Sequence, residues 1–186
     1  MLPDSAGKDR PFIVISPQLF SLEECAEMRR LAAKHVYTHA DVLGENGGEA
    51  RTFRRSEISE DAPELYHMFF ARALSFLTDC FVMRSGGRRP AYPEIQLTAT
   101  GDGGFFKSHT DDGMPPTINR LLSYVFYFGE GYEGGDLLFN TSGFRLATTP
   151  GLLTVFDSAL WHEVTETHLP DGTDGLGRLT LNGWLS

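Results

Sequence analysis

From residue 93 onward the chain is a succession of short strand-like runs separated by turn residues, and nothing else in it restricts the fold so much. β-Branched, aromatic and aliphatic side chains fill the runs 94–100, 105–110, 120–128, 136–139, 144–148, 152–156, 160–165 and 178–185. Many of the 20 glycines fall between these runs, where tight turns need them. Eight short strands at this spacing predict two sheets packed face to face, a jelly roll or double-stranded β-helix.

The first half reads differently. Ser21 with Glu24 three positions on forms a capping box that opens a helix over 22–35, in which Leu22, Cys25, Ala26, Met28, Leu31 and Ala32 recur at helical spacing. A second helix over 62–82 carries a broad apolar face of Leu65, Met68, Phe69, Leu74, Phe76, Leu77 and Phe81. A strand precedes them at 11–16, and 44–49 reads as a polar, glycine-rich loop between two candidate strands. The expected fold is therefore mainly β with supporting α, its N-terminal helices covering one outer sheet face. With no linker or repeat, residues 1–186 are expected to form one domain: helical support and a lid over about 1–92, and the jelly-roll core with the site over about 93–186. A chain of 186 residues, 41% hydrophobic and 22% charged, is long and apolar enough to bury a substantial core.

A net charge of -9 disfavours a nucleic-acid partner, which calls for a basic surface. The patches Arg51, Arg54, Arg55 and Arg84, Arg88, Arg89 read as solvated loop charge. Cys25 and Cys80 lack metal-type spacing, and a pair this sparse suggests a reducing compartment. The start of the chain lacks the basic and apolar regions of a signal peptide, and no apolar run reaches membrane-spanning length. A cytoplasmic protein with no membrane partner is expected.

Within the strand-rich half, His109-Thr110-Asp111 places an imidazole and a carboxylate on one face of a strand, because side chains two apart point the same way. His162 follows in a later strand. Two histidines and one carboxylate make the facial triad of non-haem Fe(II) oxygenases, which leaves positions for cosubstrate and oxygen. Arg178, at the start of the last strand, has the charge to hold the far carboxylate of an oxo-acid. On that strand Leu179, Leu181, Gly183 and Leu185 suit packing under helices, while Arg178, Thr180, Asn182 and Trp184 form a polar row that either lines an enclosed pocket or faces water. Trp161 is expected to point away from His162 and pack in the sheet. His35, His39, His67 and His168 have no partner spacing, and the glycine-rich 101–104 reads as a turn rather than a phosphate loop.

These segments together resemble the prolyl 4-hydroxylase-like branch of the Fe(II)/2-oxoglutarate-dependent dioxygenases. Leu19-Phe20-Ser21-Leu22-Glu23-Glu24-Cys25 is similar to that branch's helix opening, and Gly104 through Asp111 to the approach to its first ligands. Arg120 through Phe128 and Gly134-Gly135-Asp136-Leu137-Leu138-Phe139 resemble its paired strands, and Pro150 through Phe156 with His162-Glu163-Val164 the pair carrying the second histidine. Arg178-Leu179-Thr180-Leu181-Asn182-Gly183-Trp184 resembles the closing strand.

The resemblance implies that His109, Asp111 and His162 bind Fe(II), and that Arg178, Tyr127 and Thr180 hold 2-oxoglutarate, with dioxygen consumed and ascorbate a further candidate cofactor. Many relatives place a tyrosine nine or ten residues before the first ligand; here Thr100 or Ala99 stands there, with Thr98 and Gln96 available as substitutes. A polar loop over 166–177 lengthens the path to Arg178. In that branch 44–58 corresponds to a mobile region over the site, and Arg54-Arg55-Ser56 resembles a recurring motif there. The implied reaction is hydroxylation of a prolyl residue in a protein or peptide. The alternatives are hydroxylation of a free amino acid or other small metabolite, and, from a different class, a metal-dependent sensor without turnover.

Overall fold

The computed structural model describes residues 10–16, 18–40, 48–59, 61–113, 115–170 and 175–186. Its helices are α1 (Leu22–Ala32), α2 (Gly48–Phe53) and α3 (Pro63–Ser85). The strands of the first half are β1 (Ile13–Ile15), β2 (Thr38–His39), β3 (Arg54–Arg55) and β4 (Glu57–Ser59). Those of the second half are β5 (Glu94–Thr100), β6 (Gly104–His109), β7 (Leu122–Tyr127), β8 (Glu133–Gly134), β9 (Leu137–Phe139), β10 (Phe144–Leu146), β11 (Leu153–Asp157), β12 (His162–His168) and β13 (Arg178–Leu185). The jelly-roll expectation holds.

Two sheets carry the structure. The larger has seven strands in the order β1-β11-β7-β13-β5-β4-β2. The smaller has six: β10-β9-β12-β6-β3 in order, with β8 pairing β12 beside β9. The first half thus supplies strands to both sheets as well as helices. Its β3 pairs β6 and its β4 pairs β5, so residues 54–59 cross from one sheet to the other. The part of the predicted lid from Arg54 on is paired backbone rather than loop; residues 44–47 lie outside the described set.

Helix α1 starts where the capping box puts it: the Glu24 amide donates to Ser21 Oγ, and the Ser21 amide to the Glu24 carboxylate. It stops at Ala32, three residues before the expected end, and the Tyr37 hydroxyl donates to the Ala32 carbonyl there. Helix α3 ends at Gly86, whose φ of 73° is the left-handed conformation that glycine adopts without a Cβ penalty. Its buried residues Leu65, Phe69, Ala73, Leu77 and Phe81 recur every four positions and form one stripe. That stripe and Met28 of α1 pack in one cluster with Leu97, Leu122, Phe126, Leu181 and Leu185 of the larger sheet. Each fully buried Leu or Phe contributes roughly 1.5–3 kcal/mol through apolar burial, so this layer is the main source of cohesion.

The odd positions of β13 therefore face the helices, as expected. Gly183 is required among them because a Cβ there would run into the ring of Tyr124 and the Glu94 carbonyl. A smaller cluster of Leu137, Phe139 and Phe156 lies apart from the helices, on strands of both sheets. Cys25 and Cys80 are both buried free thiols. No helix among the described residues is long and apolar enough to cross a membrane.

Candidate active site

His109 ends β6 and His162 begins β12, and the two stand directly opposite each other in the smaller sheet. Their ring centroids are 4.3 Å apart. Asp111 follows two residues past His109, and its amide donates to the Ser158 carbonyl at 2.8 Å, which turns the carboxylate back toward the histidines. Asp111 Oδ1 lies 3.5 Å from His109 Nε2, and Oδ2 lies 3.6 Å from His162 Nε2. One nitrogen or oxygen from each of the three falls within 4.8 Å of the others, so the set can hold one ion.

Both imidazoles are oriented by backbone. His109 Nδ1 donates to the Lys107 carbonyl at 2.7 Å and His162 Nδ1 to the Leu160 carbonyl at 2.8 Å. With Nδ1 protonated, Nε2 of each ring is the lone-pair nitrogen that faces the cluster. Burial lowers the pKa of His162, against the opposing pull of Asp111, and so favours the neutral, ligating form. Burial alone would raise the Asp111 carboxyl, but His162, His109 and the Ser123 hydroxyl outweigh it and hold the group below the usual carboxylate range.

The cavity beside this cluster is lined by Gln96, Val125, Arg178, Asn182 and Trp184 of the larger sheet and by Phe106, Leu137 and Val164 of the smaller. The even row of β13 therefore faces the inside of the barrel and not water. Arg178 is only 3% exposed; its Nε donates to the Gly135 carbonyl at 2.8 Å, and its guanidinium carbon sits 5.2 Å over the Tyr127 ring. A Cβ on Gly135 would come within 2.7 Å of Arg178 Cδ and 2.9 Å of Thr167 Oγ1, so only glycine lets the chain pass there.

Around Arg178 the hydroxyls of Tyr127, Thr154, Thr167 and Thr180 are buried without a hydrogen-bond partner among the described residues. Buried polar groups are rarely left so. A fixed cation ringed by hydroxyl donors is what a carboxylate needs, and the set fits the distal carboxylate of 2-oxoglutarate. Burial pushes the Tyr127 hydroxyl up to about 12, with Arg178 opposing, so it stays a donor at neutral pH. Thr98, Thr180 and Tyr127 are neighbours in register on three adjacent strands, and Arg178 stands opposite Thr100. Where relatives carry a tyrosine, this chain has a chain of smaller groups: Asn182 and Gln96 both donate to Thr98 Oγ1, at 2.8 and 3.4 Å.

Four expectations differ from the structure. Arg84, expected as solvated loop charge, lies on α3 and pairs with the Asp157 carboxylate, Nε to Oδ1 at 2.6 Å. Arg54, expected as solvated loop charge, lines the cavity. Its guanidinium lies 4.8 Å over the Phe106 ring and its Nε donates to Ser56 Oγ at 2.8 Å. Burial lowers its pKa to about 10, with Asp111 pulling the other way, so it remains charged. Trp161, expected to pack in the sheet, precedes β12 and is 54% exposed. The polar loop over 166–177 is shorter than expected, because β12 continues to His168 by pairing with β8. Residues 171–174 lie outside the described set.

Fold and site together define a non-haem metal oxygenase built on a jelly roll. Residues 95–186 match the family model of the 2OG-Fe(II) oxygenase superfamily. The chain belongs to that superfamily. An uncharacterized PKHD-type hydroxylase of Synechocystis is 33% identical over 107 residues, covering 50% of this chain and 35% of that protein, so the match spans about a third of the relative's length. A prolyl-4-hydroxylase from Pseudomonas putida superimposes with a TM-score of 0.67 at 24% identity, over 93% of this chain and 91% of that one. The viral collagen prolyl hydroxylase of Paramecium bursaria Chlorella virus-1 gives 0.67 at 15% identity, over 96% and 97%. These two likenesses concern the fold.

Proposed function

We propose that residues 1–186 form one catalytic domain, an Fe(II)- and 2-oxoglutarate-dependent hydroxylase acting on a prolyl residue of a protein or peptide, with release of succinate and carbon dioxide. The observation that carries this reading is the buried Arg178 guanidinium, surrounded by unpartnered hydroxyls, in one cavity with the three-ligand cluster. A metal-binding protein without turnover has no use for that second receptor, which weighs against the sensor alternative. The relatives named as prolyl hydroxylases support the choice of residue attacked.

In this reading His109, Asp111 and His162 hold the iron. Bound iron supplies the activation of dioxygen and the oxidising power for breaking a C–H bond. The protein supplies position and exclusion of water. Arg178, Tyr127 and Thr180 fix the far carboxylate of 2-oxoglutarate, which sets how close its oxo-acid end comes to the metal cluster. Leu137, Phe156 and Val164 make the cavity wall apolar beside the ligands and keep competing water away. Arg54 and Trp184 stand at the same cavity, where substrate must be admitted.

One observation favours the second reading, a free amino acid or other small metabolite. Arg54 brings a further positive charge into the cavity, suited to a substrate carboxylate as well as to a peptide carbonyl. The deciding experiment offers peptides and free amino acids to the enzyme with Fe(II) and 2-oxoglutarate, and follows succinate and mass. A one-oxygen gain on a peptide alone supports the first reading, and on a free amino acid alone the second. Metal binding with no succinate from any substrate overturns both.

A further inference from the structure

The three groups at the cluster are oriented in different ways. Each histidine is held by a carbonyl two residues before it, which any sequence would supply. The Asp111 carboxylate is held by side chains. Ser123 Oγ donates to Asp111 Oδ2 at 2.6 Å, and Ser158 Oγ lies 2.9 Å behind Ser123 Oγ. The Ser123 proton is committed to the carboxylate, so Ser158 must be the donor in the second bond. Ser123 is 1% exposed and Ser158 fully buried, which removes water as a competitor. Backbone bonds lock the pair in place, since the Ser158 amide donates to the Leu121 carbonyl and the Ser158 carbonyl accepts from the Asp111 amide. One residue before Ser158, Asp157 is gripped by Arg84 of α3, with Nε to Oδ1 at 2.6 Å and Nη2 to Oδ2 at 2.9 Å.

Resting on the iron-site reading above, we infer that Ser123 and Ser158 form a two-hydroxyl relay that positions Asp111 as a metal ligand, fixing the rotation of its carboxylate through Oδ2. A carboxylate free to rotate can chelate through both oxygens and fill a position that cosubstrate requires. The relay prevents this. Ser123 and Ser158 are positioning residues: their hydroxyl protons are spent on Asp111 and on Ser123. Groups behind a metal ligand commonly alter metal affinity by about 10- to 100-fold when removed.

The test is Mn(II) binding by calorimetry to the full chain and to its Ser123→Ala, Ser123→Cys, Ser158→Ala, double Ser123→Ala/Ser158→Ala and His109→Ala variants, with a thermal melt of each. Ser123→Ala should weaken Mn(II) by about 10-fold or more, and Ser123→Cys, which fills the space but donates weakly, should follow it. Ser158→Ala should weaken Mn(II) less. The double variant should bind like Ser123→Ala alone, because a relay cut at its first link has no second contribution to lose. The visible spectrum of the Co(II)-loaded protein should change in Ser123→Ala. Wild-type affinity in both Ser123 variants, or an additive double variant, overturns the relay. Should His109→Ala bind Mn(II) as tightly as wild type, the cluster itself is not the metal site, and that failure is recognisable apart from the relay's.

Discussion

The imidazole of His109 lies flat on the ring of Phe106, with centroids 3.6 Å apart and planes 18° from parallel. Arg54 covers Phe106 as a cation–π partner, and Phe53 meets the same ring edge-on at 5.9 Å. Phe106 and His109 are three residues apart, which in a regular strand would put them on opposite faces. They share a face because the register between β6 and β12 slips between the pairs His162↔His109 and Val164↔Phe106. That bulge re-aims a side chain beside the site, a recurrent use of such irregularities.

It follows that Phe106→Ala frees the His109 ring without touching its Nδ1 bond. Metal affinity should fall by about 10-fold, on the scale seen for other supports of metal ligands. Calorimetry with Mn(II) checks this; an unchanged affinity would show that the backbone bond alone orients the ring.

Arg178→Ala should leave Mn(II) binding intact and weaken 2-oxoglutarate by about two orders of magnitude or more, the scale for truncating one member of a buried charge pair. Titration of 2-oxoglutarate into the Mn(II)-loaded variant measures it. Arg178→Lys should recover only part of the loss, since an ammonium lacks the planar fork.

Arg54→Gln should bind metal and 2-oxoglutarate as wild type does, yet lose most of its substrate-stimulated succinate release. The split arises because Arg54 lines the cavity without bonding the ligand cluster or the hydroxyl ring. A variant that responds to substrate as wild type does would remove Arg54 from substrate binding.

Burial raises the thiols of Cys25 and Cys80 from 9.0 to about 11. At pH 8 both are therefore protonated in the native protein, and iodoacetamide should label them only after denaturation, because the thiolate is the nucleophile. The sign for stability follows. The folded state holds its thiol protons more tightly than the unfolded chain, so this contribution is whole below pH 9 and disappears as pH rises toward 11. Mass spectrometry of native and denatured samples reads the labelling, and a native chain labelled at pH 8 contradicts the prediction.

Gly183→Ala should destabilise the fold by about 1–3 kcal/mol, the usual cost of overpacking, because the new methyl meets both Tyr124 and the Glu94 backbone. A Tm several degrees lower is expected, while a Tm at the wild-type value would mean that β13 shifts freely.

Two of the three strands of seven or more residues were legible in the sequence with their bounds, while β12, read over 160–165, runs over His162–His168. Glu94–Thr100 and Arg178–Leu185 were read with the bounds they have, since each sustains its pattern over seven or more residues. The spacing of His109 and Asp111 and the two faces of β13 were legible for the same reason, because a period of two is visible in one segment. The bounds of β2 and β3, and β8 altogether, were not, as two residues cannot display a period and exist only through their partners. Arg54 gives no sign of its position in the sequence because its direction is set by pairing across to Phe106, 52 residues further along the chain. Ser123 and Ser158 carry no signal in the sequence, because serine is common and a hydroxyl relay has no spacing of its own.

Arg178 belongs to the larger sheet, and the Gly135 carbonyl it grips lies beside Thr167 in the smaller sheet's β8–β12 corner. The side chain proposed to receive the cosubstrate is thus also a strut between the two walls of the barrel. Recognition and wall spacing cannot be tuned apart from each other here. On the proposed reading, lengthening or shortening the acid held at Arg178 would mean moving the walls as well as the charge.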